Sequence, residues 1–169
     1  MKKIAFFDRD GVINKSNKNN GYIGKIKDFV LIPGVIKTIK YLRALNYKVV
    51  IVSNQSGIAR GFFTEYDVKK LHQYLQTKLK VKNTKIDRIF YCPYHIHGKI
   101  KKYKKKSKLR KPDNGMFKIV NSIWKVDKKN SFMVGDQKTD MEFAKKSGIK
   151  GYYFREKNLY RFIKSKKIT

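Results

Sequence analysis

Short apolar runs alternate along the chain with longer segments in which apolar residues recur every three or four positions. The short runs predict five β-strands, at residues 3 to 7, 48 to 53, 86 to 91, 131 to 134 and 149 to 153. Two intervening segments carry the clearest helical stripes, Ile36, Ile39, Leu42 and Leu45 in the first and Val68, Leu71, Leu75 and Leu79 in the second. Because strands that alternate with helices pair in parallel, we predict a doubly wound α/β fold.

Local signals mark some of the helix boundaries. Thr64 with Asp67 is typical of a capping pair for the second helix. Arg110-Lys111-Pro112 is predicted to start a helix that runs to Trp124. The chain has no internal repeat, no linker and no insertion long enough for a cap domain, so we expect one domain over residues 1–169.

The first predicted strand ends in Asp8-Arg9-Asp10-Gly11, which sets two carboxylates two residues apart. Residues i and i+2 of a strand point the same way, and Gly11 begins a turn, so both carboxylates can face the place where the chain leaves the sheet. A carboxylate nucleophile and a nearby acid or base could there share one Mg²⁺ during phosphoryl transfer. Alone the pattern is weak evidence, because turns favour Asp and Gly in any case.

Three further segments argue against the interpretation of Asp8-Arg9-Asp10-Gly11 as an ordinary turn. The second predicted strand ends in Ser53-Asn54-Gln55-Ser56-Gly57, and the fourth ends in Gly135-Asp136. Between them, Arg110 and Lys111 bring two cations to the start of a predicted helix. In an open parallel sheet such loops converge on one ligand crevice at the carboxyl ends of the strands.

The formal net charge of +30 raises the question of a nucleic-acid partner. Only 7 of the 42 basic residues are Arg, and the Lys residues are spread along nearly the whole chain. Bidentate recognition of phosphates or bases uses Arg more than Lys. We therefore expect no specific nucleic-acid partner, only nonspecific binding at low salt.

Membrane and secretion signals are missing from the sequence. No apolar run approaches the roughly 20 residues that span a membrane, and Met1-Lys2-Lys3 leads directly into the first strand without a secretory h-region. Cys92 is the only cysteine, so no internal disulfide can form. We expect a cytoplasmic protein with no membrane partner, and we expect a monomer.

Together these motifs resemble the haloacid dehalogenase superfamily of aspartate-nucleophile phosphohydrolases. The narrower resemblance is to a capless family that includes the D-glycero-D-manno-heptose 1,7-bisphosphate 7-phosphatases and the histidinol-phosphate phosphatases. It extends from the N-terminus to about Gly151 and is carried by Asp8 to Asn14, Asn20-Gly21-Tyr22, Pro33-Gly34-Val35, Ser53 to Gly61, Cys92-Pro93, Arg110-Lys111-Pro112, Gly115-Met116 and Gly135-Asp136. The resemblance implies a doubly wound, Rossmann-like parallel sheet without a cap domain, so the loops themselves must select the substrate.

The resemblance also assigns catalytic and metal-binding roles to five residues. Asp8 is expected to attack phosphorus, to form an aspartyl-phosphate, and to bind Mg²⁺. Asp10 is expected to protonate the leaving oxygen, to deprotonate the attacking water later, and to bind Mg²⁺ through its backbone carbonyl. Asp136 would supply the second carboxylate to Mg²⁺, while Ser53 and Lys111 would bind the phosphoryl oxygens.

Substrate contacts are expected from two loops and two cations. The ten residues are Asn19, Asn20, Gly21, Tyr22, Asn54, Gln55, Ser56, Arg60, Arg110 and Lys138. The first four lie on a loop expected to close over the substrate, and the next four follow the second strand, where they could touch sugar hydroxyls. Arg110 matches the family's substrate-recognition position, and Lys138 is included because Gln137 stands where the family usually has Lys. Asp140 is expected to brace the site rather than to bind metal.

The family commonly carries a structural zinc, bound by cysteines and a histidine. Here at most Cys92, His95 and His97 remain, and Ser107 and Leu109 stand where the closing cysteines would be expected. A structural zinc site needs four Cys or His ligands, so we expect no zinc.

The sequence thus predicts a Mg²⁺-dependent phosphatase of a small phosphorylated sugar, first of all the 7-phosphate of a heptose 1,7-bisphosphate on a route to surface polysaccharide. Alternatives within the enzyme class are a histidinol-phosphate phosphatase and a nucleic-acid 3′-phosphatase. An inactive, basic nucleic-acid-binding relative is a further alternative, but such a protein would not need all five catalytic and metal-binding residues. We also hypothesise that the Lys-rich run at residues 99 to 106 attracts a doubly phosphorylated substrate.

Overall fold

The computed structural model describes residues 1–17 and 21–168. Its strands are β1 (Ile4–Phe7), β2 (Lys48–Asn54), β3 (Arg88–Cys92), β4 (Phe132–Gly135) and β5 (Lys150–Tyr153). They pair in parallel in one sheet of order β3-β2-β1-β4-β5. All five predicted strands are confirmed, with bounds that differ by at most two residues at either end.

Five α-helices connect and follow the strands: α1 (Val35–Ala44), α2 (Glu65–Val81), α3 (Gly115–Trp124), α4 (Lys138–Ser147) and α5 (Leu159–Ser165).

The capping pair predicted for α2 is confirmed. Thr64 accepts a hydrogen bond from the Asp67 backbone N–H, and the Asp67 side chain accepts one from the Thr64 backbone. The predicted start of α3 is wrong, because the helix begins at Gly115 and residues 110–112 lie in the turn before it. The physical reason is Pro112, whose ring disfavours helical backbone at Lys111.

Helices cover both faces of the sheet. Alternate residues of β1 point to opposite sides, with Ala5 and Phe7 in a core built with α1, α2 and α5, and Ile4 and Phe6 in a core built with α3 and α4. All four side chains are fully buried. The doubly wound α/β fold is therefore confirmed, and its two-sided burial explains why the strands are continuous apolar runs rather than alternating ones.

The strand order reverses between β1 and β4. From β1 the chain moves to β2 and β3 on one side, and then returns to β4 and β5 on the other. Ligands of doubly wound sheets bind at this switch point, outside the carboxyl ends of the strands. In the described part of the chain, no inserted domain covers those ends. No helix there is both long enough and apolar enough to cross a bilayer.

The buried face of α2 contains one polar side chain, His72, which is 9% exposed. Its Nε2 lies 3.2 Å from Arg9 Nη1, and its ring meets the Tyr91 ring edge-on at 5.7 Å between centroids. Burial, and then the positive charge of Arg9, lower the pKa of His72 from 6.5 to about 3. The folded protein therefore keeps this imidazole neutral at pH values where the unfolded chain protonates it.

This difference predicts a pH dependence of stability. Above pH 6.5 the imidazole is neutral in both the folded and the unfolded chain, so His72 does not lower the free energy of unfolding. Below pH 6.5 the unfolded chain binds a proton that the folded chain does not bind until about pH 3. The free energy of unfolding should therefore fall by up to about 1.4 kcal/mol per pH unit through this window from His72 alone. Urea unfolding of wild type and His72→Gln between pH 7 and pH 4.5 should give the shallower slope for the variant, and equal slopes would contradict the assignment.

Candidate active site

The centre of the candidate site is an ion cluster around Lys111, which is 2% exposed. Lys111 Nζ donates to Asp8 Oδ1 at 2.8 Å and to the Val52 carbonyl at 2.8 Å, and it lies 2.6 Å from Asp140 Oδ1. Burial alone would lower the pKa of Lys111, but the carboxylates of Asp8 and Asp140 outweigh it and raise that pKa. Lys111 is therefore a charged ammonium with two hydrogen bonds and a close ion pair with Asp140.

Asp8 directly follows β1, at the centre of the sheet. Its backbone N–H donates to the Val134 carbonyl at 2.9 Å, which ties it to β4. Asp8 is 8% exposed, and it lines a cavity at the switch point. The predicted meeting of the loops after β1, β2 and β4 is thus what the structure shows.

Asp136, directly after β4, brings a third carboxylate to this cluster. Asp8, Asp136 and Asp140 each offer an oxygen, and these oxygens all lie within 4.8 Å of one another. Burial, followed by the charges of Asp8 and Asp140, raises the pKa of Asp136 to about 6. Its Oδ1 is buried and receives no hydrogen bond from the described residues. An unpartnered buried carboxylate oxygen beside a second carboxylate fits a hard divalent cation such as Mg²⁺.

Asp140 has other partners. Besides the pair with Lys111, its Oδ2 accepts a hydrogen bond from the Gln137 backbone N–H at 3.0 Å. It therefore braces Lys111 and the start of α4, which agrees with the expectation from sequence. Asp8 and Asp136 are the two carboxylates that would hold the metal.

Two glycines let these carboxylates approach. Gly11 has φ of +89°, and a Cβ at this position would overlap the Asp136 carboxylate. A Cβ at Gly135 would overlap the Asp140 side chain. Position 11 therefore requires glycine for two reasons, because its φ is positive and because it has no space for a Cβ.

Asp10 is held at both carboxylate oxygens. Asn14 Nδ2 donates to Oδ1 at 2.8 Å, and Gln55 Nε2 donates to Oδ2 at 2.9 Å. Arg9 Nη2 lies 3.1 Å from Oδ1 and 3.0 Å from Oδ2. The sequence did not single out Arg9 and Asn14 as site residues, because no motif indicates that both would bind the Asp10 carboxylate.

The loop after β2 contributes less to the cleft surface than expected. Asn54 exchanges two hydrogen bonds of 2.9 Å with the backbone N–H and carbonyl of Lys111. Gln55 is fully buried and donates to Ser53 Oγ at 2.8 Å as well as to Asp10. Ser56 shares a hydrogen bond of 3.0 Å with the Tyr22 hydroxyl. Asn54 and Gln55 therefore hold Lys111 and Asp10 in place, and their contacts to sugar hydroxyls stay a prediction.

The cavity itself has a volume of about 400 Å³. It is lined by Asp8, Asp10, Ser16, Gly21, Tyr22, Asn54, Ser56, Arg110, Lys111, Asp136, Gln137, Thr139 and Asp140. Ser16, Gln137 and Thr139 were not expected to bind substrate. Ser16 lies in a loop, Gln137 caps α4, and Thr139 lies in the first turn of α4.

Four of the expected residues that the structure describes do not line the cavity. Ser53 and Gln55 are buried beneath it. Arg60 lies outside the lining, and the Lys138 side chain is 88% exposed and lies 3.9 Å from Glu142. Lys138 therefore does not substitute for a phosphate-binding lysine in this arrangement, because it projects from α4 into solvent. The remaining expected residues, Asn19 and Asn20, lie outside the described residues.

Arg110 at the cavity has a second cation, Arg60, as its neighbour outside the lining. Arg110 lines the cavity, and burial, with Arg60 adding to the effect, lowers the pKa of Arg110 from its usual range. Arg110 Nη1 and Arg60 Nε are both buried and have no hydrogen-bond partner among residues 1–17 and 21–168. Two neighbouring guanidinium groups with unsatisfied donors suit an anionic ligand group.

The loop that would carry zinc in the family folds around other contacts. Cys92 Sγ is buried and lies 3.9 Å from the Tyr94 carbonyl, and burial raises the pKa of this thiol. The Tyr103 hydroxyl donates to Glu65 at 2.9 Å. In the described part of the chain, the carboxylates around Lys111 are the one set of three potential metal ligands that comes together. Zinc-free folding of this loop stays a prediction.

Comparisons with known proteins agree with this geometry. A family model described as polynucleotide kinase 3 phosphatase matches residues 3–157. A Rhodopseudomonas palustris protein named D-glycero-beta-D-manno-heptose-1,7-bisphosphate 7-phosphatase is 39% identical over 163 residues, which are 96% of this chain and 89% of that protein. The Photorhabdus laumondii D-glycero-alpha-D-manno-heptose-1,7-bisphosphate 7-phosphatase is 37% identical over 87% of this chain and 79% of that protein.

A solved structure agrees as well. The D,D-heptose 1,7-bisphosphate phosphatase from B. bronchiseptica, complexed with magnesium and phosphate, superposes with a TM-score of 0.79. The two proteins are 27% identical, and the superposition covers 97% of this chain and 86% of the B. bronchiseptica chain. The chain therefore belongs to the haloacid dehalogenase superfamily, in the family of the D-glycero-D-manno-heptose 1,7-bisphosphate 7-phosphatases, and is a phosphoric monoester hydrolase.

Proposed function

We propose that this phosphatase removes the 7-phosphate of D-glycero-D-manno-heptose 1,7-bisphosphate, with Mg²⁺ as cofactor and an aspartyl-phosphate intermediate. The observation that carries the proposal is Asp8, whose Oδ1 accepts a 2.8 Å hydrogen bond from buried Lys111 while its side chain lines the cavity. The relatives named for this activity support the substrate. The product would enter surface polysaccharide synthesis, and we include a monomeric state and a cytoplasmic location in the proposal.

In the first half of the reaction, the Asp8 carboxylate attacks phosphorus and the bond to the sugar oxygen breaks. Lys111 holds Oδ1, so we assign the attack to Oδ2. Asp10, which also lines the cavity, gives its proton to the departing sugar oxygen. Each charge that develops on the phosphoryl oxygens lies close to the Lys111 ammonium, which stabilises it electrostatically.

In the second half, Asp10 takes a proton from a water molecule, and the water oxygen attacks phosphorus. The bond between phosphorus and Asp8 breaks, which releases inorganic phosphate and regenerates both carboxyl groups. To donate to a phosphoryl oxygen, Lys111 would have to release one of its carboxylate partners, Asp8 or Asp140, both of which line the cavity. Ser53 is buried below and would act through the loop after β2.

Mg²⁺ would be held by the Asp8 and Asp136 carboxylates and, by family resemblance, the Asp10 carbonyl, and would neutralise and orient the phosphoryl group when bound. The chain's own residues supply the nucleophile, the acid and base, and the ammonium. Asp140 holds Lys111 in place for this work, at 2.6 Å.

Substrate choice would depend on the two guanidinium groups. A cavity of about 400 Å³ suits a small ligand, and Arg110 in its lining, with Arg60 as a cationic neighbour, suits a second phosphate. Histidinol phosphate fits the same catalytic residues but offers no second phosphate. The family model described as polynucleotide kinase 3 phosphatase favours a 3′-phosphorylated nucleic acid as the second candidate, and the net charge of +30 would attract it.

The metal assignment predicts a change in thermal stability. At a Mg²⁺ concentration about 100 times its Kd, binding should add about 2.7 kcal/mol and raise the Tm by roughly 5–10 °C. Asp136→Asn should lose most of this increase, because it removes one ligand charge. Glu142→Gln, which removes an exposed carboxylate from α4, is the matched control and should keep the increase. An unchanged Mg²⁺ response in Asp136→Asn would contradict the site.

The substrate assignment predicts a preference in phosphate release. Both anomers of heptose 1,7-bisphosphate, histidinol phosphate and a 3′-phosphorylated oligonucleotide should be compared under Mg²⁺, with Asp8→Asn as the blank. We expect kcat/KM for one heptose anomer to exceed that of the other substrates by at least about 10²-fold, or roughly 2.7 kcal/mol. A higher value for histidinol phosphate or for the oligonucleotide would leave the phosphatase chemistry intact and overturn the sugar assignment.

The Lys-rich run adjoins this cleft, because Arg110 and Lys111 line both the cavity and a neighbouring one of about 360 Å³ that includes Lys105 and Lys106. Replacing Lys104, Lys105 and Lys106 with Gln should raise KM for the bisphosphate by about threefold to tenfold at low salt and far less near 0.5 M salt, since salt screens the attraction. A control with Gln at Lys78, Lys80 and Lys82 makes the same charge change at the C-terminal end of α2. Equal effects in the two variants would remove a specific role for the run.

A further inference from the structure

We infer that Arg9 is a positioning residue that fixes the Asp10 carboxylate for proton transfer, and that His72 holds Arg9 in the required orientation. The inference rests on the proposed function, because Asp10 has a proton to transfer only if the chain hydrolyses phosphate esters through it.

Arg9 is fully buried and is the largest side chain in the chain's buried set. It lies between Asp8 and Asp10 in sequence, yet it does not line the cavity. An arginine without solvent needs several partners, because an uncompensated buried charge is costly. The partners that Arg9 has therefore indicate what it does.

Most of these partners converge on Asp10. Arg9 Nη2 lies 3.0 Å from Asp10 Oδ2 and 3.1 Å from Oδ1, and Nε lies 3.2 Å from Oδ1. Arg9 approaches the carboxylate from the core, while Asn14 and Gln55 each donate to one of its oxygens. Three side chains thus fix the rotation of a group that must meet first a sugar oxygen and then a water.

The other partners fix Arg9 itself. Nη2 also donates to the Ile23 carbonyl at 2.5 Å, and Nη1 lies 3.2 Å from His72 Nε2. Since a guanidinium only donates hydrogen bonds, His72 Nε2 must be the acceptor, with the ring proton on Nδ1. The low pKa of His72, about 3, keeps this acceptor available across the working pH range.

The arrangement extends the catalytic site into the core between the sheet and α2. His72 is fixed by its edge-on contact with Tyr91 on β3, at 5.7 Å between ring centroids. A buried ion pair contributes little net stability compared with apolar side chains of the same volume. Its value here is geometric, because among the described residues Asp10 is the partner through which Arg9 acts on the cavity.

A double-mutant cycle tests the inference. Arg9→Gln should lower kcat on the heptose bisphosphate by about 10²-fold with KM within about threefold, because acid and base catalysis is lost rather than binding. In an Asp10→Asn background, the same Arg9→Gln change should alter kcat by less than about threefold, because Arg9 acts only through Asp10. Effects that multiply would overturn the inference. Arg43→Gln, which removes a surface arginine paired with Asp87, is the control and should leave kcat unchanged.

A second pair of variants covers the case in which Arg9→Gln does not fold. His72→Gln keeps an acceptor for Arg9 and should keep kcat within about threefold, whereas His72→Leu removes the acceptor and should lower kcat by at least about tenfold. Equal kcat values for these two folded variants would overturn the role of His72. A wild-type enzyme inactive on every sugar phosphate would instead overturn the proposed function, so the two failures are distinguishable.

Discussion

The buried ammonium of Lys111 is the interaction on which the site depends. It meets a carboxylate after β1, a carbonyl of β2 and a carboxylate of α4, while its own backbone is held by Asn54 at the end of β2. Removing either carboxylate would leave a buried charge partly unpaired, which costs several kcal/mol. The same contacts therefore join distant parts of the chain and fix the position of Asp8, the proposed nucleophile.

Counting charges around Lys111 explains why the site would need a metal. Asp8, Asp136 and Asp140 bring three negative charges and Lys111 brings one positive charge, which leaves two negative charges uncompensated. Asp10 is compensated separately by Arg9. The imbalance is concentrated at Asp136, whose buried Oδ1 lacks a donor among the described residues and whose pKa rises to about 6. One divalent cation at this oxygen would restore neutrality.

The sequence predicted the framework better than the roles of individual residues. Strand positions follow from local apolar runs, and the meeting of Asp8, Lys111 and Asp136 follows from parallel pairing together with family resemblance. The partners of Asn54, Gln55 and Arg9 did not follow, because they are separated in sequence by 57, 45 and 63 residues. A polar loop residue after a strand can face a ligand or a catalytic neighbour, and only tertiary packing decides between the two. Arg9 shows the limit most clearly, since a solvated arginine and a fully buried one have the same local sequence.

The protein surface and the cleft have opposite electrostatic character. Four of the 12 acidic residues, Asp8, Asp10, Asp136 and Asp140, lie in the site, while the 42 basic residues are spread along the chain. Many surface ammonium groups have aromatic neighbours in place of carboxylates, as in Lys37 over Tyr160 at 4.4 Å and Lys164 over Tyr41 at 4.7 Å. Aromatic faces attract cations without cancelling their charge, so each ammonium gains a favourable contact while the surface stays positive.

The contrast between the positive surface and the acidic site affects how an anionic substrate would bind. An anionic substrate is attracted over roughly 8 Å at physiological salt by the positive surface, and Arg110 and Lys111 continue that positive potential into the cavity. The carboxylates that would repel the substrate are those whose charge Lys111, Arg9 and a bound cation compensate. Without the cation, the two uncompensated charges would oppose phosphate binding at the position where Asp8 must attack. We therefore expect metal binding and substrate binding to be coupled by the same charge balance that holds the site together.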